Sequence, residues 1–260
     1  MPPIRKPLRR SLITAALAAL LAPAAFAQAL IDQNKVLAGS VTPGDAPGFP
    51  LTISQPGSYK LTSNLYVPAG SDGIQITADN VTLDLNGFTV LGTATCSQNG
   101  STLAVTCSQM QGNGVYAEGR KHAAVKNGTV RGFGFACISA GLSGRLEDLS
   151  LGECDIGITQ LGTSGHHPVH VARADIQMVR RHGISVIKGL ITDSTVSSAG
   201  FYGISGNISA LSVSVHGGHV RSSGGGVEYA AMRGVMVERN KISVSNVVSA
   251  GGNLVNGAPF

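Results

Sequence analysis

Residues 74–90 alternate apolar and polar side chains in three short runs, Ile74/Ile76, Val81/Leu83/Leu85 and Phe88/Val90, broken by Ala78-Asp79-Asn80 and Asn86-Gly87. Alternation at period two is a strand signal, because successive side chains point to opposite faces of a sheet. The residues at the breaks take left-handed backbone angles at small cost. Three strands and two corners in so short a span leave no room for hairpins of useful length, but they make one coil of a parallel β-helix.

The rest of the chain repeats that coil. Aligned on the small residue that opens each unit, Gly73, Gly114, Ala136, Gly157, Gly183, Gly203 and Gly226 are separated by 41, 22, 21, 26, 20 and 23 residues. The long first interval contains an insertion, residues 93–112, and the 26-residue interval an extra loop at 163–168. A second column puts Asn or Asp at a corner, followed by alternation: Asn86, Asn127, Asp148, Asp175, Asp193 and Asn240. Such a column reads as a structural ladder of turn-satisfying side chains rather than a row of ligands, since a catalytic group need not recur in every coil. The same register places Val130, Leu151, Met178 and Val196 in one interior column. The expected fold is therefore all-β, a single-stranded parallel β-helix (solenoid) of about seven coils, in which each coil buries its apolar face only by stacking.

The organisation along the chain follows. Arg5, Lys6, Arg9 and Arg10 precede an apolar run, Leu12 to Leu21, and then Ala25-Phe26-Ala27. This is the pattern of a secretory signal peptide over 1–27, cleaved after Ala27, and the run is short for a membrane span. Residues 28–50, with Pro43, Pro47 and Pro50, read as a leader or N-terminal cap, and 51–260 as the β-helix domain. Of the 19 Lys+Arg and 14 Asp+Glu, four basic and no acidic residues lie in 1–27, which leaves a net charge of +1 for the remainder. The basic character thus belongs mostly to the leader, and a nucleic-acid partner is not expected. The processed chain is expected to be secreted or periplasmic, without a membrane span; its oligomeric state is not legible.

Four cysteines in an exported chain suggest two disulfides. Cys96 and Cys107 share the insertion and close a small loop, which leaves Cys137 and Cys154 to pair on neighbouring coils. No C-x-x-C occurs and the insertion lacks His, so a metal site there is not expected. The loop closed by Cys96 and Cys107 is expected to project from its coil.

The run Gly57-Ser58-Tyr59-Lys60-Leu61-Thr62-Ser63-Asn64-Leu65, then Ile76 to Phe88, the Cys96–Cys107 insertion, and Asn127-Gly128-Thr129-Val130-Arg131-Gly132-Phe133-Gly134 resemble exported bacterial right-handed parallel β-helix repeat proteins of the pectin-lyase-like superfamily. The resemblance covers residues 51–250 and implies a right-handed coil. It implies polysaccharide as a partner class, but the superfamily holds lyases, hydrolases, epimerases and members without assigned activity, and fold alone does not choose among them.

Chemistry concentrates in one set: Arg131, then Glu153 and Asp155, then Arg180, Arg181 and His182, then Arg221. A polyuronate lyase needs a cation for the substrate carboxylate and a base for the proton α to it, and Arg180, His182, Arg131, Glu153, Asp155 and Arg221 are the candidates. The bland alternative is cross-coil ion pairing between rungs about 4.8 Å apart. Hydrolase and epimerase motifs of the superfamily are missing: there is no Asp-Asp pair, no Gly-His-Gly and no Asp-Pro-His-Asp. No cofactor is expected, with Ca²⁺ only in the lyase case. His166, His167 and His170 read as a solvated loop rather than a metal site. The expected function is a non-catalytic exported β-helix that binds or organises polysaccharide or another surface partner; the alternative is a divergent lyase or hydrolase acting on acidic polysaccharide.

Overall fold

Three stacks of short parallel strands run along the chain, one for each face of a solenoid of about 6 turns. The computed structural model describes residues 28–101, 104–108, 111–161 and 167–211, followed by strand segments at 214–216, 219–221, 230–233, 236–238, 247–249, 254–255 and 258–259. Side chains are described through residue 206 and at 254, 258 and 259. The signal-peptide reading of 1–27, and the positions Gly226, Asn240 and His166, lie outside the described residues.

On the first face Leu51–Ile53, Ile74–Ile76, Val115–Tyr116, Ala136–Ala140, Ile156–Gln160 and the first halves of His182–Thr192 and Tyr202–Leu211 pair in sequence. The second stacks Ala29–Ile31, Gly57–Leu61, Val81–Asp84 and then the starts of Ala123–Arg131, Gly144–Gly152 and Val169–Val179. The third stacks Leu65–Tyr66, Thr89–Leu91, the ends of those same three long strands, Thr195–Ala199 and Ser214–His216. Like sits on like inside. Ile74, Val115, Ile138, Ile158, Ile184 and Ile204 line one wall, Leu83, Val125, Leu146, Val171 and Ile191 the second, and Val90, Val130, Leu151, Ile176 and Val196 the third. None of these is more than 2 % exposed.

The third wall corrects one expectation: Ile176, not Met178, continues the column of Val130 and Leu151. Met178 lies two residues on, at a corner, with φ of 52°. The small-residue column is also corrected. The residues in register with Gly73 and Gly114 are Cys137, Gly157, Gly183 and Gly203, so Cys137 rather than Ala136 occupies that slot. Small residues are needed for two reasons: the next rung's carbonyl oxygen would lie 2.5 Å from a Cβ at Gly73, Gly114, Gly157 or Gly183, and side chains crowd in from across the corner. A Cβ at Gly114 would stand 2.1 Å from Val130 Cγ1, one at Gly157 2.6 Å from Ile176 Cγ2, and one at Gly183 2.3 Å from Val196 Cγ1. The branched side chains that close each turn fill the space in which the same turn opens.

Between the second and third faces, Asn86, Asn127, Asp148, Arg173 and Asp193 have φ between 49° and 60°. Asp175 is not among them. It pairs with Ser150 and Thr195 within the third face, and Arg173 takes the corner in its coil. A third corner uses Gly132, Glu153, Met178 and Ser198, again left-handed.

Residues 28–50 form the strand Ala29–Ile31, the helix Gln33–Ala38 and a loop that together cover the first coil. The edges there are closed by side chains standing in for a missing strand. Asp45 accepts the backbone N–H groups of Thr52 at 2.8 Å and Val41 at 3.0 Å, Thr42 Oγ1 donates to Thr52 O at 2.7 Å, and Gln33 Oε1 accepts from Tyr66 N at 2.8 Å. An open parallel edge is a template for association, and these contacts occupy it. At the other end Leu254–Val255 pairs in antiparallel fashion with Ala258–Pro259, which interrupts the parallel stack.

Both expected disulfides form, Cys96–Cys107 and Cys137–Cys154. The first closes an antiparallel hairpin, Cys96–Gln98 with Val105–Cys107. The hairpin does not project. It folds back along the third corner, with Ala94 and Val105 buried, Cys107 Sγ 3.8 Å from the carbonyl oxygen of Cys154, and Ser198 Oγ donating to Gln98 Oε1 at 3.1 Å. It therefore braces successive coils.

Two outcomes are expected. Gly183→Ala should cost about 1–3 kcal/mol by overpacking against Val196, and adding Val196→Ala should recover part of that loss; urea unfolding of the single and double variants measures it, and strict additivity would place the clash elsewhere. Replacing Cys96 and Cys107 by Ser should lower global stability by about 3 kcal/mol, whereas an unchanged urea midpoint would mean that the hairpin is an appendage.

Candidate functional site

The sequence-predicted set assembles at and beside the third corner. Arg131 ends its strand, and Glu153 takes the corner of the next coil. The guanidinium Nε and Nη2 both donate to Glu153 Oε2, at 3.0 and 2.6 Å. Two residues later Asp155 is 1 % exposed. Arg180 Nε donates to its Oδ1 at 2.7 Å and Arg181 Nε to its Oδ2 at 2.7 Å, with Arg181 Nη2 also in contact with Oδ2. The backbone reinforces the arrangement: Arg181 N donates to Asp155 O at 2.8 Å and Arg180 N to Cys154 O at 3.0 Å. A buried carboxylate is tolerated only when paired and hydrogen-bonded, and two guanidinium groups from the following coil meet that need.

His182 follows directly. Its ring stacks on Tyr202 of the next rung, with centroids 5.3 Å apart and planes at 9°, and Phe201 stands edge-on to it at 5.8 Å. Its Nδ1 is buried without a hydrogen-bond partner. Burial, and secondarily the Arg181 charge, hold His182 below the usual histidine range, against the opposing pull of Asp155. The imidazole is thus neutral at neutral pH. Arg221 pairs through its backbone with Ser205, and its side chain lies outside the described residues.

The structure therefore brings Arg131 onto Glu153, and Arg180, Arg181 and His182 around Asp155. Each of the three candidate arginines whose side chain is described is held by a carboxylate. The corner ladder behaves likewise: Arg173 donates through Nε and Nη2 to Asp148 at 2.6 and 2.9 Å, and that contact holds the Asp148 carboxyl below its usual range. Of the histidine run, His167 is exposed and His170 sits on the outer side of the second face. Among the described residues no group of three or more His, Cys, Asp or Glu is placed to hold a metal ion.

Sequence reasoning missed a cleft on the second face, of about 540 Å³, lined by His122, Ala124, Lys126, Ser143, Arg145 and His170 among others. Thr82, Ala124, Arg145 and His170 occupy one outward row of successive rungs. The signal was available once the coil register was known, since residues in one row are separated by whole coils rather than by any local spacing.

Depressed titration of His182 has a consequence for stability. As pH falls, the unfolded chain binds this proton before the folded one does. The contribution of His182 is present above the ordinary histidine pKa of about 6.5 and is lost as pH falls through that value toward the lower folded one. Urea midpoints should drop between about pH 7.5 and about pH 5.5, and His182→Phe should flatten the slope; an unaltered slope would assign the effect to other groups.

No family model, curated protein or solved structure matches this chain.

Proposed function

We propose that this chain is an exported, non-catalytic β-solenoid of the bacterial pectin-lyase-like kind that binds polysaccharide, or another surface polymer, along the corner spanning residues 131–182. The observation that carries the reading is the ledge beside Asp155. Phe201 is 56 % exposed and packs edge-on against Tyr202, their centroids 4.7 Å apart, next to the two guanidinium groups fixed on one buried carboxylate. An exposed aromatic face is a surface on which a sugar ring stacks, and the paired arginines hold the corner that carries it. Two disulfides fit an oxidising compartment. No helix among the described residues is long and apolar enough to cross a membrane. Absence of catalysis is supported by the pairing of Arg131, Arg180 and Arg181, since a lyase needs its cation facing the substrate carboxylate.

One observation favours the divergent lyase: burial holds His182 below the usual histidine range, and an uncharged imidazole is the form in which a general base acts. A glycan array run with a lyase assay separates the two. We expect saturable binding to at least one acidic glycan, weakened about tenfold or more by Phe201→Ala, and no ultraviolet-absorbing unsaturated product from pectate or alginate. Turnover that vanishes in folded His182→Ala or Arg180→Ala protein would replace this reading by the lyase.

A further inference from the structure

The described ion pairs fall into two groups by distance. Arg131, Arg173, Arg180 and Arg181 lie 2.7 Å or less from their carboxylates. Lys126 stands 4.0 Å from Asp84, and Arg145 makes a single 3.4 Å contact with Glu147. These two loosely engaged cations, 45 % and 63 % exposed, are the ones that line the cleft on the second face. Ala124 keeps the outward row low between Thr82 and Arg145, and Gly144 is also in the lining. Gly144 has no room for more: a Cβ there would lie 2.3 Å from Ala123 O.

The remaining lining groups are donors or rings. Ser143 is buried, and its Oγ accepts the backbone N–H of His122 at 3.0 Å, which leaves its hydroxyl hydrogen to donate. His122 contacts Asn80 Oδ1 through Nδ1 at 3.1 Å, and His170 stands one rung beyond Arg145. Glu147 is the one carboxylate in the lining.

We infer that this cleft is a separate binding site for a phosphate or sulfate group carried on a sugar-sized ligand. Lys126 and Arg145 sit on adjacent rungs, offset by two residues along the strand, with Ser143 two residues before Arg145. An ammonium, a guanidinium and a hydroxyl thus share one cleft, and a tetrahedral group with three terminal oxygens can accept from all three. The volume exceeds what the anion alone needs and lies within the range of small-ligand sites. The rest of the cleft, between Pro168, His170 and Thr82, receives the sugar. This site shares no residue with the aromatic corner and does not depend on the reading given to it.

Calorimetric titration of the whole chain tests the inference with four probes: inorganic phosphate, inorganic sulfate, glucose 6-phosphate, and dextran sulfate against unmodified dextran. We expect saturable binding of glucose 6-phosphate or dextran sulfate, weakened about tenfold or more by Lys126→Met or Arg145→Gln. It should be unchanged by Arg173→Ala, a cation outside the cleft. Binding of the monomeric probes identifies a free sugar phosphate as the ligand, and binding of dextran sulfate alone a substituent on a polymer. The inference is overturned by absence of saturable binding of every probe up to about 10 mM, or by binding that folded Lys126→Met and Arg145→Gln proteins retain.

Discussion

Each turn of this solenoid must change direction at corners without losing register. The branched residue that ends a turn and the residue that opens the same turn compete for one volume. Val130, Ile176 and Val196 take it, so Gly114, Gly157 and Gly183 have no Cβ. In the coil where Leu151 replaces a branched residue, the slot holds Cys137, whose side chain turns into the disulfide with Cys154. The wall of the core and the next rung's carbonyl oxygen, 2.5 Å from a Cβ at Gly114, Gly157 and Gly183, together dictate the glycine column. Corner backbone adds its own demand, because a non-glycine residue in the left-handed region is costly, of order 1–3 kcal/mol in sparsely populated geometry. Ladder contacts offset that cost: Asn86 Nδ2 donates to Leu61 O at 3.1 Å, Asn127 Nδ2 to Asp84 Oδ1 at 3.2 Å, and Arg173 clasps Asp148.

Two buried polar groups hold the places where the repeat is irregular. Gln160 ends a strand just before the extra loop. Its Nε2 donates to the carbonyls of Gly141, Leu142 and His167 at 3.2, 3.2 and 3.4 Å, and its Oε1 accepts from Ile187 and Lys188 at 3.1 and 3.2 Å. The last two N–H groups lie at a register shift between Val186 and Lys188. One side chain therefore satisfies backbone groups from three coils that the ladder cannot reach. Asp155 does the equivalent for the charges at the start of the first face. Both sites exchange desolvation for geometry: each stabilises only because its hydrogen-bonding capacity is filled.

The fold was legible because period-two alternation and small residues recur at coil spacing, and stacking turns such a repeat into structure. Where the reading slipped, the cause is the same period. Asp175 was placed at the corner held by Arg173, and Met178 in the column held by Ile176; each is a displacement of two residues, to which alternation at period two is blind. Ala136 and Cys137 are both small, so size could not choose between them either. An arginine in the left-handed region carries no propensity signal at all. The disulfide pairs were legible from proximity in sequence, but the path of the hairpin was not, since its contact with Ser198 spans 100 residues. The corner cluster was foreseen as a set of residue types; the buried carboxylate that gathers Arg180 and Arg181 emerged only from the coil register.

Charge placement then separates architecture from recognition. On a stacked surface a cation has rungs on both sides, and a carboxylate one rung away can capture it at hydrogen-bonding distance. Arg131, Arg173, Arg180 and Arg181 are captured in this way, and a captured guanidinium contributes orientation and stability more than it contributes reach toward a ligand. Two things on the surface escape that pairing. One is the aromatic ledge of Phe201 and Tyr202, which offers area instead of charge. The other is the hollow beside Ala124, where Lys126 and Arg145 keep only looser contacts, 4.0 Å to Asp84 and 3.4 Å to Glu147. A ligand competes best where the protein has not already satisfied its own groups, because it then gains the contact without first breaking a shorter one. On the two proposals above, the surfaces then differ in what they would take, a ring plane at the ledge and an oxyanion at the hollow.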